Sequence, residues 1–249
     1  MMDYTVKTHK SSARANTKVD AGLRAYMLSV YNYMAMALVV TGISAFLTMN
    51  VDPIARLMFN FSEYGHVTGT TGFGMLIMLS PIGIAWYFFS GAAKMDVSRS
   101  KMILWIYAAL TGMSLASLGF IYTGTSIART FFITASVFGA MSLYGYTTKR
   151  DLTSIGSFLV MGMIGVLLAS IVNMFMNSPA IYFATSILGT LIFTGLIAWD
   201  AQRIKGMYFT VGGGEMGRRM AVVGAFSLYL NFINLFLFLL RFLGVRRDQ

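Results

Sequence analysis

The stretch AVVGAFSLYLNFINLFLFLLRFLG, residues 221–244, and the stretch IYFATSILGTLIFTGLIAW, residues 181–199, decide the class of this chain. Each apolar run is about as long as the 20 residues that an α-helix needs to cross some 30 Å of hydrocarbon. Polar groups interrupt the pattern. Asp200 directly follows the 181–199 run, and Asn231 and Asn234 sit inside the other. Hydrocarbon rejects such groups, so a polar side chain kept among them points to function or to a specific partner.

Working outward, five more runs of the same kind appear at about 26–48, 71–92, 102–122, 127–147 and 152–176. The last two spans are placed at 180–199 and 220–243. The chain is 57% hydrophobic and 11% charged over 249 residues, with a mean hydropathy of +0.68. Soluble domains carry roughly 25% charged residues. The expected fold is therefore all-α, a polytopic membrane protein with seven transmembrane helices. A seven-helix membrane domain would occupy 26–244, after a mobile basic arm at 1–25 and before a short basic tail at 245–249. Residues 49–70 and 201–219 read as loops, and Pro81 should kink the second span. Asn177-Ser178-Pro179 reads as a turn with a helix cap. Gly112-x-Ser114 and Gly162-x-x-Gly165 are small residues that let helices approach closely. Neither the alternation of a membrane β-barrel nor a clear internal repeat is present.

The net charge is +10. Nucleic-acid binding is one reading of such a charge, but its distribution fits positive-inside loops, and no nucleic-acid partner is expected. Fourteen Lys and Arg lie on the side of the N-terminus. The opposite side holds five if the last stretch crosses fully. It holds two if that stretch dips in and returns. Both counts place the N-terminus in the cytoplasm. The polar, basic start is not expected to act as a signal peptide.

Enzymatic chemistry finds few candidates. There is no Cys, and His9 and His66 lie outside the spans. The metalloprotease, nucleophile-elbow and phosphate-loop motifs are absent. Gly212-Gly213-Gly214 lacks the Lys and preceding strand of a phosphate loop and reads as a flexible linker. No Lys falls within a span, which excludes a Schiff base there. No enzyme activity and no cofactor are expected.

Asp200 admits two readings. It is either a solvated acid at the cytoplasmic end of the sixth span, paired with Arg203 three residues on, or a functional carboxylate. A carboxylate near a helix C-terminus opposes the dipole, which argues against the first. In the last stretch Ser227, Asn231, Asn234, Phe238 and Arg241 recur at spacings of four and three and form one stripe. The stripe serves either as interhelical hydrogen-bond glue or as the polar lining of an ion path.

At these residues the chain resembles the Bax inhibitor 1 (transmembrane Bax inhibitor motif) family, in its bacterial branch. The likeness rests on Ser142 to Leu152, on Asp200-Ala201-Gln202-Arg203-Ile204-Lys205, and on Leu228 to Phe236. It spans about residues 20–245. The resemblance implies seven helices with the C-terminal helix central and the other six around it, in the bacterial inner membrane. It also implies a pH-sensitive calcium leak, in which an aspartate matching Asp200 pairs with a second aspartate as latch and pH sensor. Here the second position is Asn231, and Ala201 stands where Thr is usual. Two close carboxylates cannot both ionise cheaply, whereas an amide can donate a hydrogen bond to an ionised Asp200. A weaker or acid-shifted pH response and a weaker divalent-cation site follow, because Ca²⁺ favours several charged oxygen ligands. The second span has no Arg, so the candidate cationic partners of Asp200 are Arg203 and Arg241.

Three functions compete. One is a passive, gated leak for Ca²⁺ or other cations, with Asp200, Arg203, Ser227, Asn231, Asn234 and Arg241 on its gate or path. Another is a regulatory protein of the bilayer that docks a membrane protease or stress factor and carries no flux of its own. The third, a proton-coupled transporter, is disfavoured by the single carboxylate in the spans.

Overall fold

The computed structural model describes residues 3–91 and 95–247, with side chains from residue 21 onward. The side chains of the basic arm before that point, and Lys94, lie outside the described residues. The order is α1 (Asp3–Asn50), α2 (Asp52–Met58), β1 (Phe59–Phe61), β2 (Val67–Thr70), α3 (Gly72–Gly91), α4 (Val97–Leu115), α5 (Leu118–Ile121), α6 (Gly124–Thr147), α7 (Thr153–Met176), α8 (Pro179–Val211) and α9 (Gly214–Leu243). Among the described residues, seven helical segments are long and apolar enough to cross a membrane, with α4 and α5 forming one of them and Ala21–Asn50 of α1 another.

Local chemistry sets the helix ends. Ser178 accepts from the Ile181 N–H and Pro179 opens α8, as the sequence predicts. Asn177 closes α7 in the left-handed region at φ 51°, a conformation that Asn tolerates better than most residues. Thr123 caps α6 by accepting from Ser126.

The C-terminal helix is the core of the bundle. Of its most apolar window 72% is buried, against 11% for α3 and α7. It packs on α1, α4, α6 and α8, while α3 and α7 lie further out and turn large apolar side chains such as Trp86 and Phe175 outward. The wrapping is thus uneven around the six helices. Aromatic rings fix the centre. Phe226 stacks on Phe88 of α3 at 4.5 Å and meets Tyr107 of α4 at 4.6 Å. Phe232 takes the edges of Phe131 and Phe138 from α6. Tyr229 is fully buried, and its hydroxyl lies 2.7 Å from the Thr41 hydroxyl, which also bonds the Ala108 carbonyl. That arrangement satisfies a polar atom deep in apolar surroundings.

Two expectations change, and a point left open by the sequence is narrowed. Residues 49–70 are not a plain loop. Asp52-Pro53 starts α2, and the hairpin of β1 and β2 folds over a small second core of Met58, Phe59 and Ala116. Residues 201–219 are not a loop either, because α8 continues to Val211 and α9 begins at Gly214. The charges there mark where the helices leave the apolar layer, not where they stop. The last stretch, open between a full crossing and a dip, is one uninterrupted helix long and apolar enough to cross fully. Beyond it the Val245 carbonyl accepts from Thr123 and the Arg247 N–H donates to Ile121, both in the turn on the side away from the N-terminus. The cation split is therefore fourteen against five. The second span, α3, continues as helix through Pro81. The Ile77 carbonyl, which Pro81 cannot serve, accepts instead from Ser80 at 2.8 Å and from Ser114 of α4 at 3.3 Å. Of the small residues, Gly112 lies against the α1 backbone at Thr41, whereas Gly165 faces open space.

Gly145 shows how close α6 and α8 come, since a Cβ there would meet the Ala198 carbonyl. The Gly145→Ala variant should lower the melting temperature in detergent by an amount equivalent to about 1–3 kcal/mol of overpacking. Gly139→Ala, on the same helix with nothing near its Cβ, should leave stability unchanged or raise it by up to about 1 kcal/mol.

Candidate functional site

Four residues of the polar stripe on α9 meet α8. Ser227 and Asn231 meet Asp200. Phe238 stacks on Phe193 at 5.6 Å, and Arg241 lies over Tyr182 at 5.9 Å. The two helices are antiparallel, and the stripe sets their register.

Asp200 is the centre of this contact. It is only 2% exposed, and α8 runs eleven residues beyond it. It is therefore an interior acid and not a solvated helix end. Its Oδ2 accepts from the Ser227 hydroxyl at 2.6 Å and from the Asn231 amide at 2.6 Å. Its Oδ1 pairs with the Arg203 guanidinium at 2.6 Å and has no other bond among the described residues. Arg203 also donates to the Ser227 hydroxyl at 3.1 Å and stacks over the Trp199 ring at 4.7 Å. Its side chain is 38% exposed, so the pair joins a buried anion to a cation that reaches toward water.

Taking a carboxylate out of water costs several kcal/mol. Three donors offset this, and hydrogen bonds to a charged group contribute about 1.5–3 kcal/mol each. Two of the donors, Ser227 and Asn231, come from α9, so compensation of the charge depends on the two helices staying together. The assembly can hold or release a proton or engage a cation. It contains no nucleophile–base pair. Among the described residues there is no group of three or more acidic or His side chains able to hold a metal ion.

The other two sequence candidates lie elsewhere. The Asn234 amide bonds the Leu230 carbonyl of its own helix at 2.8 Å and does not reach Asp200. Arg241 is exposed near the far end of α9, about 15 Å along the helix from Asn231. Of the two candidate cations, Arg203 is the one that meets Asp200.

Sequence reasoning missed two residues of the same segment. The Gln202 carbonyl oxygen accepts from the Leu152 N–H at 2.8 Å, and its amide donates to the Arg150 carbonyl at 2.8 Å. The Lys205 ammonium donates to the Tyr146 carbonyl at 2.8 Å and lies 5.0 Å from the Tyr146 ring. Both tie α8 to the end of α6 and the turn before α7. Ending the sixth span at Trp199 hid them. A helix continued past Asp200 would have placed Gln202 and Lys205 on faces other than that of Asp200. Within that turn, Asp151 accepts from the Thr153 N–H at 2.9 Å, and the hydrogen bonds of Thr153 hold its carboxyl below the usual range. Replacing Gln202 by Ala should destabilise the turn by about 1–3 kcal/mol. The Leu152 amide should then exchange with deuterium faster than in the parent chain, while amides at the centre of α9 keep their protection.

Comparison with known proteins agrees with this architecture. The family profile described as Inhibitor of apoptosis-promoting Bax1 matches residues 23–248. An uncharacterized protein of Rickettsia prowazekii is 56% identical over the whole of both chains. An uncharacterized protein of Caulobacter vibrioides is 46% identical over 94% of each chain. The inner membrane protein YbhL of Escherichia coli is 39% identical over 91% of this chain and 94% of its own. With a matching profile across nearly all of its length, a central C-terminal helix and an interior Asp200 bonded to it, the chain is a multi-pass membrane protein that belongs to the Bax inhibitor family.

Proposed function

We propose that the chain is a gated cation leak of a bacterial inner membrane, with Asp200 as the latch between α8 and α9. The observation that carries this reading is the buried Asp200 carboxylate, held by Ser227 and Asn231 from the central helix. With the latch bonded, Asp200 is sealed from water and the path is closed. Protonation removes the charge that Arg203, Ser227 and Asn231 compensate and weakens all three contacts. The helices then separate along the stripe, exposing Ser227, Asn231 and Asn234 to a hydrated path. The fourteen cations on the N-terminal side orient that end to the cytoplasm. Asn231 makes the pH response shallow, because Asp200 has no second carboxylate beside it. It also makes a poor Ca²⁺ site, since a single anionic ligand remains.

A second reading is a regulatory membrane protein without flux of its own. It is favoured by α8, which continues twelve residues past Trp199 and offers a helical handle outside the apolar layer.

Flux through the purified chain in pure-lipid vesicles separates the two. Under the leak reading, Ca²⁺ uptake rises as the pH is lowered from about 8 to 5, because protonation of Asp200 removes the charge its three partners compensate. Asp200→Asn should raise flux at neutral pH several-fold and flatten the profile. Asn231→Asp should steepen it, because two close carboxylates compete for one proton. Wild-type vesicles that stay tight to Ca²⁺ and monovalent cations at every pH would sink the leak and leave the regulator.

A further inference from the structure

The outer surface of the bundle carries a groove between α1 and α6. Both helices pack on α9 but not closely on each other. At the end of the bundle where the apolar part of α1 begins and α6 ends, the gap is a cavity of about 660 Å³. It shares no residue with the Asp200 cluster, so it stands whether or not the chain conducts cations. We propose that this groove holds an acyl chain of an anionic phospholipid from the leaflet on the N-terminal side, with the lipid phosphate against Arg24.

The walls make the occupant a lipid chain. Met27 and Leu28 line the cavity from α1, and Phe138 and Leu143 line it from α6. Leu28 and Leu143 are 52% and 63% exposed, and on membrane-spanning helices that exposure is to lipid. Gly139 belongs to the same wall, and no atom stands within 4 Å of where its Cβ would be, so the groove is open there. A second cavity, about 390 Å³, is lined by the same two helices further along, at Leu38 and Gly42 of α1 and at Ala128 and Phe131 of α6. From Arg24 to Gly42 the helix rises about 27 Å, which exceeds the half-thickness of roughly 15 Å that one leaflet's chains occupy. An extended chain uses such a groove, whereas a compact ligand does not.

Polar groups in the first cavity select the class of lipid. The Tyr31 and Ser142 hydroxyls lie 2.6 Å apart, and both side chains line the cavity. Two hydroxyls carry two protons, and their mutual bond uses one. Neither makes another hydrogen bond among the described residues. The remaining proton lacks an acceptor, a state that proteins rarely leave unrelieved away from water, and the ester carbonyl of a phospholipid supplies one. About 10 Å further out along α1, Arg24 stands exposed in the cavity wall with no ion pair among the described residues. No acidic side chain lines the cavity. Lys205 adds a positive charge at the same end, 5.0 Å from the ring of the wall residue Tyr146. A hydroxyl donor with an unpaired cation beyond it matches the order of groups in a phospholipid, ester inside and phosphate outside. The cation favours a lipid of net negative charge over a zwitterionic one, whose own ammonium competes for the phosphate.

The test places the full chain in phosphatidylcholine nanodiscs with a trace of photoreactive lipid, either phosphatidylglycerol or phosphatidylcholine with a diazirine in its acyl chain. Crosslinked peptides are mapped by mass spectrometry. Both probes should label the segments 23–31 and 138–146, and phosphatidylglycerol should label them about fivefold more, the scale of one cation acting on an anionic headgroup. Arg24→Gln should remove that preference, and Arg24→Lys should keep it. Gly139→Leu, whose side chain enters the open part of the groove, should cut labelling by both probes several-fold while the melting temperature holds. Arg99→Gln, an exposed cation outside the cavity, should change nothing. Equal labelling by the two probes in the parent chain, or a preference that survives Arg24→Gln, overturns the proposal. So does an absence of labelling in the groove, as when a second copy of the chain covers it, or labelling that Gly139→Leu leaves intact.

Discussion

A carboxylate inside a bundle of apolar helices must be compensated where it stands, and this requirement organises the structure around Asp200. Its two oxygens are served by Arg203 from the same helix and by Ser227 and Asn231 from α9. Neither helix can slide by a turn without stripping the buried carboxylate of its Ser227 and Asn231 bonds, a larger penalty than the loss of an apolar contact. The register of α8 on α9 follows from that. It carries Phe238 onto Phe193 and brings Arg241 over Tyr182. Around this pair the rest of the core is built from rings and hydroxyls that meet α9 from α1, α3, α4 and α6.

The segment from Asp200 to Lys205 works in more than one direction. Asp200 reaches inward to α9, while Gln202 and Lys205 hold the turn before α7 and the end of α6. These are successive faces of one continuous helix, so α8 joins the contacts of Asp200 to that turn. Exposure differs within the same turn of that helix. Asp200 is sealed, whereas the Arg203 side chain is partly exposed.

Much of the fold was legible in the residues. The seven runs, the Ser178-Pro179 helix start and the stripe on the last helix are local patterns, set by hydropathy and by the helical period. Other features were not legible. The sequence predicts loops at 49–70 and 201–219 because charge and Gly or Pro interrupt the apolar pattern there. A helix that leaves the membrane becomes polar without ending, as α8 does through Val211. Hydropathy senses the solvent around a helix, not its hydrogen bonds.

The amino-acid sequence by itself determined that this chain crosses a membrane as helices, which residues share a face of each helix, and that one amide stands where the resemblance expects a second carboxylate. Those properties depend on neighbours within a few residues. The resemblance implied a central last helix, which the packing of α9 bears out, and only the tertiary structure decided that Asp200 is interior and that Arg203 and not Arg241 is its cation. The same holds for the separation of Asn234 from the site and for the groove between α1 and α6. Each of these depends on the register between helices far apart in the chain. That register is set by the summed demands of packing and of buried polar groups, which no single stretch contains.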